Sequence, residues 1–255
     1  MADLVKQDTD QFPRRPKSRL RLVKCLVILL AVVFIVWELY TLSTAVRVGV
    51  VNVLGWFGPP AMPLVLEFTR DDSPVVQVAT YEVLVRAKRD AVPILEQSLT
   101  HPEASRRQLA AELLGRIGGD AADALPALVE TGATDPEFRV RKAAIEALKD
   151  VGASDERAVP ALVGLLDDGD PEIRKTVLMS LRHFGPRAKE AVPALITRLQ
   201  DANAQVRRET AEVLEQIGPD ARAAIPALTA ALEDPHPDVR REAQEALDSI
   251  RPVPP

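Results

Sequence analysis

One cysteine in 255 residues, Cys25, excludes an internal disulfide, and its place inside an apolar run leaves the redox compartment unread. Histidine is nearly as scarce. His101, His183 and His236 lie far apart, with no cysteine or second histidine at ligand spacing, so no metal site is expected. The chain also lacks a glycine-rich phosphate loop, a G-x-S-x-G elbow and any coherent Ser, His, Asp set. No catalytic residue, cofactor or small-molecule substrate is therefore expected, and the chain reads as a non-enzyme. Carboxylate pairs abound, but they recur at a fixed interval and read as solvated helix faces. Aromatic residues make up only 4%, so the 47% hydrophobic content is carried by Ala, Leu, Val and Ile, which favours helix packed on helix over a β-sandwich.

The net charge of −5 is unevenly spread. Residues 1–24 carry seven basic and three acidic side chains, which leaves 25 basic and 34 acidic ones on the remainder. A body with a net charge of −9 is poorly suited to phosphate backbones, so nucleic acid is not an expected partner.

Residues 20–40 read LRLVKCLVILLAVVFIVWELY, apolar without interruption from Cys25 to Trp37. At about 1.5 Å per residue, such a stretch as a helix matches a hydrocarbon layer of roughly 30 Å, with Trp37 and Tyr40 as interfacial aromatics. The basic cluster from Arg14 to Lys24 precedes it. The spacing predicts a transmembrane helix over 20–42 after a basic cytoplasmic segment, 1–19, with the bulk of the chain extracytoplasmic. A signal peptide cleaved after Ala45 is the alternative. Residues 43–60, apolar but broken by Gly49, Gly55, Gly58 and Pro59-Pro60, read either as a membrane-surface linker anchored by Trp56 and Phe57 or as a cap on the domain that begins at residue 61.

From residue 61 a signature recurs, with prolines Pro93, Pro126, Pro160, Pro193 and Pro226 separated by 33, 34, 33 and 33 residues and a weaker copy at Pro63. Each proline opens a short helix, because the first turn has no helical partner for its N–H. Leucines four apart come after it, such as Leu195 and Leu199. A turn comes next, marked in several copies by Asp-Pro, as at Asp135-Pro136, Asp170-Pro171 and Asp234-Pro235. A second helix then carries apolar or small residues at offsets 0, 4, 7, 8 and 11, as in Val206, Thr210, Val213, Leu214 and Ile217. It closes on Gly118, Gly152, Gly185 or Gly218, where a left-handed C-cap is expected. Six such units stacked together bury a continuous core. The offset-5 position is apolar or small in five units, from Tyr81 to Ala211, and polar at Gln244 in the sixth, as expected of a closing unit before the Pro-rich tail 252–255.

These units resemble HEAT repeats, in particular the short bacterial type also found in phycobilisome lyases, over 61–251. The resemblance implies an all-α, right-handed α-solenoid of six two-helix repeats, preceded here by the transmembrane helix. It also implies a hydrogen-bonded ladder between neighbouring units from an aspartate in the turn and an arginine six residues later: Asp135 and Arg141, Asp168 and Arg174, Asp201 and Arg207, Asp234 and Arg240. The first two units depart from this, with Asp71 and Gln77, then His101 and Arg107, so the ladder is expected to be interrupted there.

HEAT stacks line their concave side with the second helix. Lys142, Lys175, Arg208 and Arg241, each next to a ladder arginine, and Met179, Arg182 and His183, where the fourth unit breaks the polar pattern, are the expected partner-contacting residues. The function expected is a membrane-anchored adaptor that docks a protein on this face. The alternative, from the resemblance alone, is a bilin lyase or chaperone-lyase subunit.

Overall fold

The computed structural model of the protein describes residues 44–250. Seven longer helices alternate with six shorter ones: α1 (Thr44–Gly55), α2 (Met62–Glu67), α3 (Pro74–Ala87), α4 (Val92–Ser98), α5 (Ala104–Ile117), α6 (Leu125–Thr134), α7 (Phe138–Val151), α8 (Ala158–Gly164), α9 (Pro171–Phe184), α10 (Val192–Arg198), α11 (Ala204–Ile217), α12 (Ile225–Ala231) and α13 (Pro237–Ile250). The even-numbered helices are the first members of each unit and the odd-numbered ones the second. Successive second helices pack side by side, so the array is a helical solenoid with no strand among the described residues.

Local chemistry explains each boundary. In α4, α6, α10 and α12 proline occupies one of the first two helical positions, where the missing N–H breaks no bond. Short 3₁₀ segments such as Gly185–Ala191 and Gly218–Ala224 lead into these helices. Two of the second helices, α9 and α11, begin at Asx-type caps: Asp170 accepts from the Glu172 amide at 2.8 Å, and Asn203 from the Gln205 amide at 2.8 Å.

Their C-terminal glycines behave differently from the expected left-handed cap. Gly118, Gly185 and Gly218 have φ of 68°, 50° and 69°, but with ψ of −142°, −130° and −139°, a region open essentially to glycine alone. Gly152 departs again, with φ −85°. There the residue is small for lack of room, since a Cβ would lie 2.2 Å from that of Ala158.

The core runs the length of the stack. Positions 0, 4, 7, 8 and 11 of the second helices are buried throughout α7 and α11, and the hydroxyl of Thr210, the polar member of the set, donates to the Val206 carbonyl at 2.7 Å. Each fully buried Leu, Ile or Val contributes about 1.5–3 kcal/mol through lost contact with water. Offset 5 lies between units: Ala111, Ile145, Leu178 and Ala211 are buried, Tyr81 is half-buried, and Gln244 is exposed with its amide donating to Asp248 at 2.9 Å.

The array also starts earlier than residue 61. Of the two roles open to 43–60, α1 takes the packing one. Val51 and Leu54 are buried against α3, and Gly58 takes φ 66° and ψ −150°, as the later capping glycines do. Helix α1 is thus the second helix of a further unit. The segment for which a membrane span is expected, and the two tails, lie outside the described residues. Among those described, no helix is long and apolar enough to cross a membrane.

Candidate partner-binding groove

Successive units are joined by a buried ladder. Arg174 reaches forward to the next unit, with Nε and Nη2 donating to Asp201 Oδ2 and Oδ1 at 2.9 and 2.8 Å, while Nη1 turns back to the carbonyl of Asp168 at 2.8 Å. Arg207 repeats this with Asp234 at 2.7 and 2.8 Å and the Asp201 carbonyl at 2.8 Å. Arg141 pairs with Asp168 at 3.2 Å. Each aspartate also accepts the amide two residues on, as Asp201 does from Asn203 at 2.9 Å, so one side chain closes a turn and joins two units.

The carboxylate that meets each arginine therefore belongs to the following unit. The aspartate six residues earlier contributes only its carbonyl, and Arg240 makes just this backward half, to the carbonyls of Asp234 and Pro235. Arg107 is a complete rung, bidentate to Asp135 at 2.6 and 3.0 Å, because its backward bond needs a carbonyl that His101 supplies as well as aspartate does. Nδ1 of His101 even accepts the Glu103 amide at 3.0 Å in the aspartate's place. A rung unseen in the sequence joins Arg47 of α1 to Asp71 at 3.4 Å. The interruption is confined to Gln77 and His101, which occupy the two ends of one rung. Gln77 keeps only the backward bond, to the Asp71 carbonyl at 2.7 Å.

The second helices α5, α7, α9 and α11 together form a groove of about 970 Å³. Its floor is small: Gly115, Ala143 and Ala147, with a Cβ on Gly115 falling 3.1 Å from Ala147 Cα, so α5 and α7 approach closely. Its walls are Glu112, Arg116, Glu146, Lys149, Asp150, Met179, Arg182, His183, Glu212 and Gln216.

Met179, Arg182 and His183 thus come together in this groove. Met179 is 51% exposed, Arg182 is ion-paired with Glu212, and His183 meets Phe184 edge-on at 6.2 Å. Lys142, Lys175, Arg208 and Arg241 do not line it. Each is engaged by acids on its own helix: Lys142 by Glu146 at 3.8 Å, Lys175 by Glu172 at 2.9 Å, Arg208 by Glu209 and by Glu212 at 3.5 Å, and Arg241 by Glu245 at 2.8 Å and Glu242 at 3.1 Å.

Beyond the groove the same face turns acidic. Glu209 and Glu242 occupy the offset held by Ala79, Leu109, Ala143 and Thr176 in earlier units, and that exchange of small or apolar for acidic is the signal a sequence reading passes over. They are only 7% and 5% exposed. Burial pushes both carboxyls up; Arg208 and Arg241 respectively oppose this, and Glu212 adds like charge. Glu215 is raised by burial and by Glu245, and the oxygens of Glu215, Glu242 and Glu245 lie within 4.8 Å of one another.

Three ladder aspartates, Asp135, Asp201 and Asp234, go the other way. Burial alone would raise Asp135 and Asp201, but the hydrogen bonds from Arg107 and Arg174 prevail and hold both below the usual carboxylate range. Asp234 is lowered chiefly by Arg207.

These shifts predict how stability varies with pH. A carboxylate raised in the folded state stabilises the fold below its unfolded value, about 4.3 for Glu, and that contribution is lost as pH rises through the folded value. A lowered aspartate stabilises above about 3.9, and its contribution is lost as pH falls through the folded value. The melting temperature is therefore expected to peak in mildly acidic solution and to decline on both sides. In thermal scans Glu209→Gln with Glu242→Gln should raise Tm at pH 8 and leave it unchanged near pH 4. An unchanged Tm at pH 8 would show that the two buried carboxylates carry no such cost.

Comparison with known proteins agrees with the geometry. The model of HEAT repeats matches residues 34–115, 63–149, 92–182, 133–213 and 160–248. No curated protein matches. Among solved structures, the Escherichia coli protein YibA is similar at 21% identity and a TM-score of 0.56, covering 78% of this chain and 73% of its own. Two engineered proteins are similar at 22% and 21% identity, with TM-scores of 0.52 and 0.51, covering 74% and 89% of this chain and 96% and 70% of their own. At these identities the likeness shows the fold. With overlapping family matches that together cover 34 to 248, the chain belongs to the HEAT-repeat family.

Proposed function

We propose that this protein is a non-catalytic scaffold that holds a protein partner along the face formed by its second helices. The observation that carries this reading is the groove centred on Met179, a half-exposed methionine on a floor of Gly and Ala, flanked by Arg182 and His183. A flexible thioether over small residues adapts to an incoming apolar side chain, and the surrounding charges orient the backbone that bears it. A bilin-lyase role rests on family resemblance alone and gains no support from the groove.

The test is a photo-reactive amino acid placed at Met179 of the full chain in its native cell, compared with the same residue at Glu96 on α4, outside the groove. A discrete adduct is expected from position 179 only, and Arg182→Glu should reduce it. Equal labelling from both positions would exclude the groove as the docking face.

A further inference from the structure

Packing against α3 leaves the C-terminal end of α1 in the open. Trp56 is 85% exposed, Phe57 67%, and Val53, one turn before Phe57, 48%. Two consecutive aromatic side chains project here from a helix end instead of lining a hollow, so a broad, soft surface suits them better than a pocket.

The next turn along the same edge is cationic. Asp90, which closes the turn after α3, lies beside Gly58, since a Cβ on that glycine would fall 3.8 Å from Asp90 Oδ2. Lys88 and Arg89 therefore neighbour the aromatic pair, with side chains 68% and 80% exposed. Arg86, in the last turn of α3, is exposed as well and has no acidic partner among the described residues. Asp120 opposes the first two, at 3.0 Å from Lys88 and 3.6 Å from Arg89.

Lys88 is the residue the fold itself does not explain. It occupies the position held by Gly58, Gly118, Gly185 and Gly218 after other second helices, and it takes their backbone shape, with φ 52° and ψ −123°. No other non-glycine residue has a positive φ among the described residues. A side chain in that region is strained, and an exposed ion pair such as the one to Asp120 offsets little of the cost. Glycine would serve the fold better, so the ammonium group answers to something outside it.

We propose that this edge, formed by Val53, Trp56 and Phe57 with Arg86, Lys88 and Arg89, docks on an anionic lipid surface. Tryptophan favours the headgroup level of a bilayer, phenylalanine and valine the acyl boundary beneath it, and lysine and arginine the anionic headgroups around them. Nucleic acid is anionic too, but the acidic balance of the chain after residue 24 works against an extended phosphate backbone. The docking requires no spanning helix and is independent of the groove and of any partner held there.

The chain has two tryptophans, so Trp37→Phe in the full-length protein leaves Trp56 as the sole reporter. With vesicles of phosphatidylglycerol and phosphatidylcholine its emission should shift to the blue, lose access to aqueous iodide and be quenched by brominated acyl chains. Phosphatidylcholine alone should give a much weaker response. Lys88→Gly is the sharper test, because a misfolded variant cannot mimic its outcome. It should raise Tm in solution yet weaken partitioning to the anionic vesicles about fivefold, the share of one lysine at such a surface. Trp56 that stays open to iodide beside anionic vesicles, an equal response to phosphatidylcholine alone, or a Lys88→Gly protein that binds or melts as the parent does would overturn the proposal. Protection by duplex DNA in place of vesicles would overturn it as well, in favour of nucleic acid.

Discussion

Replacing Arg174 with alanine is expected to cost about 3–5 kcal/mol of folding stability, the loss typical of removing one partner from a buried ion pair. The guanidinium is 12% exposed and its partner Asp201 only 3%. Truncation leaves that carboxylate buried beside Arg198, 3.6 Å away, and the single amide of Asn203. It also frees the carbonyls of Asp168 and Gly169, so one substitution loosens a turn and uncouples two units. Removing both partners together, as Arg174→Met with Asp201→Leu, should restore much of the loss, because the penalty lies in the stranded charge. Arg240→Ala should cost far less, since that arginine meets only carbonyls and is exposed. Urea titrations followed by circular dichroism measure all three, and equal losses at 174 and 240 would refute the account.

The second large effect is expected from Leu178→Ala, at about 2–5 kcal/mol. Leu178 is fully buried at the offset that fills the space between α9 and α11, and neither helix can collapse into the void without breaking the Arg174 rung. A solenoid is bound only by nearest neighbours, so a cavity at an internal junction divides the array into blocks that melt apart. Calorimetry should show the single transition of the parent broaden or split. Gln244→Ala, at the same offset in α13 but exposed, should stay within about 0.5 kcal/mol of the parent. A sharp, barely shifted transition for Leu178→Ala would show that this junction tolerates the loss.

The repeat was legible because proline at a helix start and leucines four apart are local requirements, repeated at almost constant spacing. The ladder was legible in its members but not in its pairing. Six residues separate Asp168 from Arg174, yet the arginine bonds the carboxylate 27 residues ahead and leaves its own aspartate only a backbone contact. Sequence spacing records the nearer residue, whereas side-by-side packing of second helices selects the farther one. For the same reason two apparent irregularities, Gln77 and His101, are one event.

Helix α1 stayed hidden because its connector is short. Arg47 precedes Asp71 by 24 residues, against 27 or 28 for the later rungs. The groove was legible only as an irregularity in the fourth unit. Its floor was not, because Gly115 and Ala147 look ordinary until two helices are seen to meet across them.

The missing rung between Gln77 and His101 gives the solenoid a joint of different material. Here α3 and α5 pack more loosely than other neighbouring second helices, and the ties across the joint include Arg106 to Glu67, Arg70 to Glu103, and Lys88 and Arg89 to Asp120, with carboxylates that reach solvent. Dissolved ions weaken such ties but scarcely touch the buried rungs on either side. Mechanically the array is a stiff spring with one compliant coil, and the stiffness of that coil is set by the ionic strength around it.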